Sequence, residues 1–378
     1  MPSTTLRQKV LAKARRIVVK LGTQLLTRGN GDSLQLDVRF IRRMADQIVE
    51  LRQGGRQVTV VCSGAIGAGC GALGVESRPT DVADMQAMAA VGQRLLMTHF
   101  HDAFARHNIE VGQVLLTRGD FDDRTRFLNL RNCLTHLQRL DCVPVINEND
   151  TVAVDELRFG DNDLLAALVT NALRADALVI LTVVDGLLDN DENVIDLVDN
   201  VRSAGSFARD DQTAMGSGGM TTKLEAARLA TEAGEITVIA NGREKNVLPR
   251  LFGAESIGTV FVPASRKLDS RARWIGLTKR PAGKIVIDQG AVTALCARGR
   301  SLLAIGITDT SGRFDRGDVL SVRDPDGAEV ARGLTNYNAG ELKLIAGMRS
   351  NQFEKVLGRA AYPEVIHRDN LVVTGGTP

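Results

Sequence analysis

The chain of 378 residues is poor in histidine, cysteine and aromatic side chains. Its five histidines, His99, His101, His107, His136 and His367, stand apart from every glycine-rich or acidic motif described below. That disfavours a histidine general base or a Ser-His-Asp triad. Cys62, Cys70, Cys133, Cys142 and Cys296 are scattered and odd in number, and no Cys/His spacing suits zinc. They read as reduced thiols of a cytoplasmic protein. No apolar run approaches the roughly 20 residues that span a bilayer, so no membrane association is expected. The basic N-terminus, "MPSTTLRQKVLAKARR", has no apolar h-region and does not read as a secretory signal. No G-x-x-x-x-G-K-[ST] phosphate loop occurs. Strong charge of one sign is also missing: the net charge is +2. Residues 1–264 carry −4, residues 265–280 carry +5 and residues 281–362 carry +2. An acidic first part does not suit a nucleic-acid binder.

Up to about residue 262 the chain alternates short apolar runs with helical periodicity. "RIVVKL" (16–21), "QVTVVCS" (57–63), "EVGQVLL" (110–116), "CVPVIN" (142–147), "ALVILT" (177–182), "EITVIA" (235–240) and "TVFV" (259–262) read as strands. Between them, 40–55, 82–107, 123–140, 161–174 and 220–234 read as helices. In the first, Ile41, Met44, Ile48 and Leu51 share one face, and Gly54-Gly55 ends it. This alternation predicts an α/β fold, a mostly parallel sheet sandwiched by helices, with ligands at the carboxyl ends of its strands. After residue 280 the texture changes. "GKIVIDQGAVTALC", "SLLAIGITDTSGRF", "DVLSVRDPDGAEVARGLTNY" and "ELKLIAG" read as short strands of a small β-barrel-like domain, with "DPDG" (324–327) as a hairpin turn. The expected division is a first domain at 1–264, a basic linker at 265–280, a second domain at 281–362 and a tail at 363–378.

Several motifs carry chemistry. "GCGALG" (69–74) matches a dinucleotide fingerprint, but it lies well past its strand end, so no such site is expected. The better phosphate candidates are "VVKLGTQ" (18–24), where a strand runs into Gly22, and "GSGGMTTK" (216–223), where glycines lead into a helix. Lys223 then falls in the first turn, where the helix dipole opposes a cation and a bound phosphate would favour it. No lysine lies between Lys20 and Lys223, although arginine is used freely there. Point charges reaching into a tight site explain that choice. "CSGAIGAG" (62–69) is a third junction of strand and glycine, with Ser63 as a helix cap or anion site. The stretch "NENDTVAVDELRFGDND" (147–163) holds six carboxylates and three Asn carboxamides. Part of it, Asp161, Asn162 and Asp163, reads as a helix cap. A cluster exceeds what a cap needs, and Asp with Asn suits a substrate ammonium group.

Taken in order, "VVKLGT", "SGAIGAG", "VGQVLLTR", "RFLNLRN", "VPVINEND", "FGDND" and "GSGGMTTK" resemble the amino-acid kinase family. Their spacing resembles the branch that acts on the side chain of glutamate. "PAGKIVID", "SLLAIGI" and "RGDVL" resemble a C-terminal PUA module. The resemblance implies transfer of the γ-phosphoryl group of ATP to the side-chain carboxylate of L-glutamate, giving glutamyl 5-phosphate at the start of proline biosynthesis. It implies that Lys20 and Lys223 stabilise the transferring phosphoryl group and that Asp163 holds both lysines. Ser63, Asn147, Asp150, Asp161 and Asn162 would bind glutamate. Lys20, Thr182, Val183, Ser217, Gly218, Gly219, Met220, Thr221, Thr222 and Lys223 would line the ATP side. Mg²⁺ would bridge the phosphates, with no protein ligand assigned. Proline as feedback inhibitor, glutamyl phosphate reductase as a partner and a homo-oligomer are implied in the same way. RNA binding by the PUA module is left open.

Two positions depart from the family pattern. Where the nucleotide loop has Asp after the strand, this chain has Val183 in "LTVVDGLLDND", with Asp185 and Asp189 as candidates to compensate. "KLGT" is followed by Gln24 where the family has Ser. Two other readings remain: a sister kinase acting on another acid, and an RNA-binding or regulatory PUA protein with a weakened kinase site. A free α-ammonium on the substrate fits the Asp/Asn cluster better than an N-acetylated one does.

Overall fold

Apolar strands short enough to be buried on both faces need helices on each side, and the computed structural model has that arrangement. It describes residues 3–28, 35–75, 77–153, 162–204, 219–253, 255–263, 269–359 and 362–374. The chain forms two compact units, Met1–Lys267 and Leu268–Pro378.

The first unit holds an eight-stranded sheet. Its strands are β1 (Arg16–Leu21), β4 (Gln57–Cys62), β5 (Val111–Leu116), β6 (Val143–Glu148), β7 (Ala177–Thr182), β8 (Leu197–Val198), β9 (Ile236–Asn241) and β10 (Thr259–Phe261). A separate two-residue pair, β2 (Thr27–Arg28) and β3 (Gln35–Leu36), lies outside it. The order is β5-β6-β4-β1-β7-β9-β10-β8. Every pairing is parallel except that of β10 with β9. The sheet is therefore mostly parallel, as the alternation predicts. Strand β1 lies between β4 and β7, where the chain reverses its direction of sheet growth, and a ligand crevice belongs at such a point.

Side chains alternate across a strand, so Ile17, Val19 and Leu21 of β1 face one layer and Val18 and Lys20 the other. The first layer is the large apolar core. Into it pack Ile41, Met44, Ile48 and Leu51 of the helix Val38–Gln53 and Leu96, Phe100 and Phe104 of the helix Val82–Ala105. Asp37 caps the first of these by accepting from the Phe40 N–H, and the helix stops at Gly54. The motif "GCGALG" has a packing explanation. A Cβ on Gly69 would stand 1.9 Å from the Met88 carbonyl oxygen, and one on Gly92 would stand 1.8 Å from that of Ala65. These glycines let the helices Ala65–Leu73 and Val82–Ala105 cross in backbone contact. All five cysteines are free thiols, with Cys62 and Cys70 buried.

The second unit has a five-stranded sheet, β12-β11-β13-β14-β15, built from β11 (Gly283–Ile287), β12 (Ile307–Gly312), β13 (Val319–Arg323), β14 (Glu329–Leu334) and β15 (Leu371–Val373). Only β11 and β13 pair in parallel. The "DPDG" hairpin joins β13 to β14, with Gly327 at φ +88°. Its core is its own, from Ile285, Leu320, Val322, Tyr337 and Phe353 among others.

Four details here differ from the sequence reading. "ELKLIAG" is a helix, Ala339–Ile345, because Asn338 and Glu341 form a reciprocal capping box and Leu342 and Ile345 then face the core. "GKIVIDQGAVTALC" is a strand followed by a helix, Gln289–Cys296, which Asp288 starts by accepting from the Ala291 N–H. The segment read as a basic linker contains buried Arg273, Trp274, Ile275, Leu277 and Thr278, and its π-helical turn Trp274–Thr278 packs on β14 and β15. Lys279 pairs with Asp318 at 3.0 Å and lies over the Trp274 ring. The stretch read as a tail supplies Val365 and Ile366 to the core and β15 to the sheet.

Two outcomes are expected. Because the first unit has a complete core, a chain ending at Pro263 should unfold in one cooperative thermal transition; a broad, non-cooperative melt would mean that the units share stabilisation. Glu341 accepts from Arg316 and, at 2.8 Å, from Arg359, and these contacts hold its carboxyl down at about 2, below an ordinary 4.5. A depressed carboxylate adds stability above its unfolded pKa and loses it as pH falls through the folded one. Glu341→Gln should thus lower denaturant stability at neutral pH and match the parent near pH 2.

Candidate active site

Four parallel strands, β1, β4, β6 and β7, end side by side, and the candidate residues gather there. Lys20 lies one residue before the end of β1, level with Val61 and Ile180 of its neighbours. Alternation turns it to the layer that holds the helix Asp163–Leu173. Lys20 Nζ lies 2.7 Å from Asp163 Oδ1, and Lys223 Nζ lies 3.2 Å from Asp163 Oδ2. All three are buried, at 4%, 7% and 0% relative exposure for Lys20, Lys223 and Asp163. Like charges brought this close repel, and the intervening carboxylate offsets that repulsion.

Lys223 is in the first turn of the helix Met220–Glu232, as expected. Gly219 occupies the cap position without a side-chain cap. Thr222 Oγ1 donates to the Gly219 carbonyl at 3.0 Å, and Lys223 Nζ reaches the same oxygen at 3.4 Å. An N-terminus with no side-chain cap and a lysine beside it suits phosphate oxygens. Ser217, Gly218 and Asp161 lie outside the described residues.

Next to this ion cluster is a cavity lined by Thr23, Ser63, Gly64, Ala65, Ile66, Gly67, Arg78, Asn147, Glu148, Asp150 and Asn162. The turn from β4 into the helix Ala65–Leu73 passes through Gly64 at φ +97°, a conformation that strains any residue with a Cβ. That turn brings Gly64, Ala65, Ile66 and Gly67 to the wall of the cavity. The cavity floor is an amide network. Asn162 Nδ2 donates to the Cys62 carbonyl at 2.6 Å and to Asn147 Oδ1 at 2.8 Å. Asn147 Nδ2 donates to Gln93 Oε1 at 2.8 Å, and Asn147 Oδ1 also accepts from the Glu148 N–H. Asn162 sits at the cap position of its helix, yet its side chain makes no cap bond. The amide serves the cavity instead. Burial pushes the Cys62 thiol up to about 12, so it stays protonated beneath this floor.

Thr182 ends β7 opposite Asn241 of β9. Val183 follows it, half-buried and packed against the large apolar core. Of the acids offered as replacements, Asp185 accepts from Asn241 Nδ2 at 2.8 Å, and Asp189 closes its own turn by accepting from the N–H groups of Asp191 and Asn193. Asp189 is thus engaged as a turn residue. Sequence reasoning missed Thr23, Glu148, Arg78 and Gln93 as parts of the site. Glu148 stood within the quoted cluster and could have been taken with its neighbours. Gln93 and Arg78 carry no local signal, since only the tertiary fold brings them to Asn147 and to the cavity. No histidine lines the cavity. His107 instead contacts Asp46 at 2.7 Å, and His136 contacts the Asn132 carbonyl at 2.8 Å.

Comparison with known proteins identifies the family. The amino acid kinase family model matches residues 15–241, and the PUA domain model matches residues 283–357. Glutamate 5-kinase of Geobacter sp. (strain M21) is 44% identical over 375 residues, 97% of this chain and 100% of that protein. Glutamate 5-kinase of Burkholderia multivorans is 45% identical over 373 residues, 97% of this chain and 100% of that protein. That of Cupriavidus pinatubonensis is 46% identical over 373 residues with the same coverage. The chain therefore belongs to the amino acid kinase family, among the glutamate 5-kinases, with a PUA domain after its kinase part.

Proposed function

We infer that this chain transfers the γ-phosphoryl group of ATP to the side-chain carboxylate of L-glutamate, giving glutamyl 5-phosphate for proline biosynthesis. The observation that carries this reading is the pair of buried lysines on one buried Asp163, set beside an Asp/Asn-lined cavity at the strand ends. A glutamate side chain has a pKa near 4.3 and is already a nucleophile at neutral pH, so the site needs no general base. One carboxylate oxygen forms a bond to phosphorus as the bond from phosphorus to the bridging oxygen breaks, and ADP leaves. What the protein supplies is alignment and charge. Lys20 and Lys223 face the phosphoryl oxygens, and Asp163 fixes both ammonium groups. The amides ahead of the helix Met220–Glu232 hold the nucleotide phosphates, with Thr182 at the edge of the nucleotide side.

Ser63, Asp150 and the amide floor of Asn147 and Asn162 line the cavity that receives glutamate. Among the described residues no group of three or more acids, histidines or cysteines would hold a metal ion. Mg²⁺ would then travel on the phosphates and neutralise their charge. Proline, which has the same α-ammonium and α-carboxylate, would compete for the amino-acid end of the cavity. The acyl phosphate is short-lived in water, so glutamyl phosphate reductase is a fitting partner. A homo-oligomer belongs to the same reading.

Two measurements test it. Glutamate should stimulate ADP release, and hydroxylamine should trap the product as a hydroxamate; aspartate or N-acetylglutamate doing so instead would point to a sister kinase. In that assay Lys223→Ala should lower kcat by roughly 10²–10³-fold with little change in the glutamate KM, the scale for losing one group that stabilises developing charge. Val183→Asp should lower the ATP KM by roughly 5- to 150-fold, since it supplies a nucleotide partner worth about 1–3 kcal/mol. It should also lower Tm, because Val183 leaves a core contact. An unchanged or raised ATP KM would mean that the loop is rebuilt around valine.

A further inference from the structure

Arg78 lies in the segment between the helices Ala65–Leu73 and Val82–Ala105, and it lines the cavity described above. It is exposed and makes no hydrogen bond or ion pair with any described residue. Elsewhere in the chain an exposed arginine in a turn is engaged, as Arg316 is by Glu341. The other charged groups lining the cavity, Glu148 and Asp150, are both acids. A guanidinium at the mouth of an otherwise acidic cavity calls for a ligand with an anion at its outer end.

We propose that Arg78 binds the α-carboxylate of the amino-acid substrate and sets the preference of the site for a substrate that carries one. This rests on the reading of the cavity as the glutamate site. The orientation follows from the geometry. Asn162 forms the buried floor, and the next residue, Asp163, holds the two lysines, so the carboxylate to be phosphorylated must point inward past Asn162. The other end of the molecule then lies at the mouth. It carries an ammonium, which Asp150 suits, and a second carboxylate, which Asp150 repels. Arg78 matches that carboxylate with a planar fork of donors. Arg78 thus acts on binding and selection, while the chemistry takes place at Lys20 and Lys223.

The test compares L-glutamate with 4-aminobutanoate, which keeps the ammonium and the reacting carboxylate but lacks the α-carboxylate. Both are assayed by ADP release with the full chain and with Arg78→Met and Arg78→Lys. The parent should favour glutamate strongly. In Arg78→Met, kcat/KM for glutamate should fall by roughly 10- to 150-fold, mostly through KM, as expected for losing a charged hydrogen-bonded pair. The value for 4-aminobutanoate should stay within about twofold, so the preference collapses, and Arg78→Lys should restore part of it. If Arg78→Met keeps the full preference, or loses equally on both substrates, the assignment is overturned while the kinase reading stands. If the parent releases no ADP with glutamate, the kinase reading itself fails and takes this assignment with it.

Discussion

A carboxylate and two ammonium groups taken out of water must satisfy one another, and the ion cluster of Lys20, Asp163 and Lys223 imposes that condition on the rest of the first unit. An ion pair moved to a low-dielectric interior costs several kcal/mol of hydration per ion, which only close geometry offsets. Here the geometry comes from three separate segments. The end of β1 carries Lys20, and the first turns of two neighbouring helices carry Asp163 and Lys223. Taking away Asp163 would leave two cations repelling one another with that carboxylate lost. The cluster is thus costly as a structural device, and charge arriving with a phosphoryl group makes sense of it.

The cavity beside the ion cluster works by different physics. Its floor is neutral: Asn162, Asn147 and Gln93 form a chain of amide hydrogen bonds from the helix Asp163–Leu173 across β6 to the helix Val82–Ala105, with a branch to the end of β4. Such a chain fixes which end of each amide faces the cavity, since reversing one Asn would set donor against donor. The floor is therefore rigid and buried, whereas Arg78 at the mouth is exposed. A site with a fixed inner end and an open outer end can align a reacting carboxylate closely while still admitting and releasing its substrate.

The second unit answers to local capping more than to charge. Its sheet would leave an open face without the helices started by Asp288 and by the Asn338–Glu341 box. Glu341 serves both that box and the two arginines, Arg316 and Arg359, so one carboxylate starts a helix and ties distant segments to it. The segment from Arg273 to Thr278 also belongs to this unit, since Trp274 and Ile275 cannot lie in solvent without losing their burial.

By itself the sequence determined the layered α/β fold, because alternation of apolar strands with amphipathic helices is a local property of the chain. It also singled out Lys20 and Lys223, which the fold joins through Asp163, because a lysine at a glycine-flanked strand end or in a first helical turn is a local anomaly. "ELKLIAG" shows where local reading fails: its short apolar run suits strand or helix, and the capping box decides. Tertiary structure alone decided that Asn162 would support a cavity instead of capping its own helix, since it reaches the carbonyl of Cys62, 100 residues away, as well as Asn147. It likewise decided that the basic stretch after residue 268 would be core, and that Gln93 and Arg78 would join the site. Each of these depends on what a side chain meets across the fold, which no window of neighbouring residues contains.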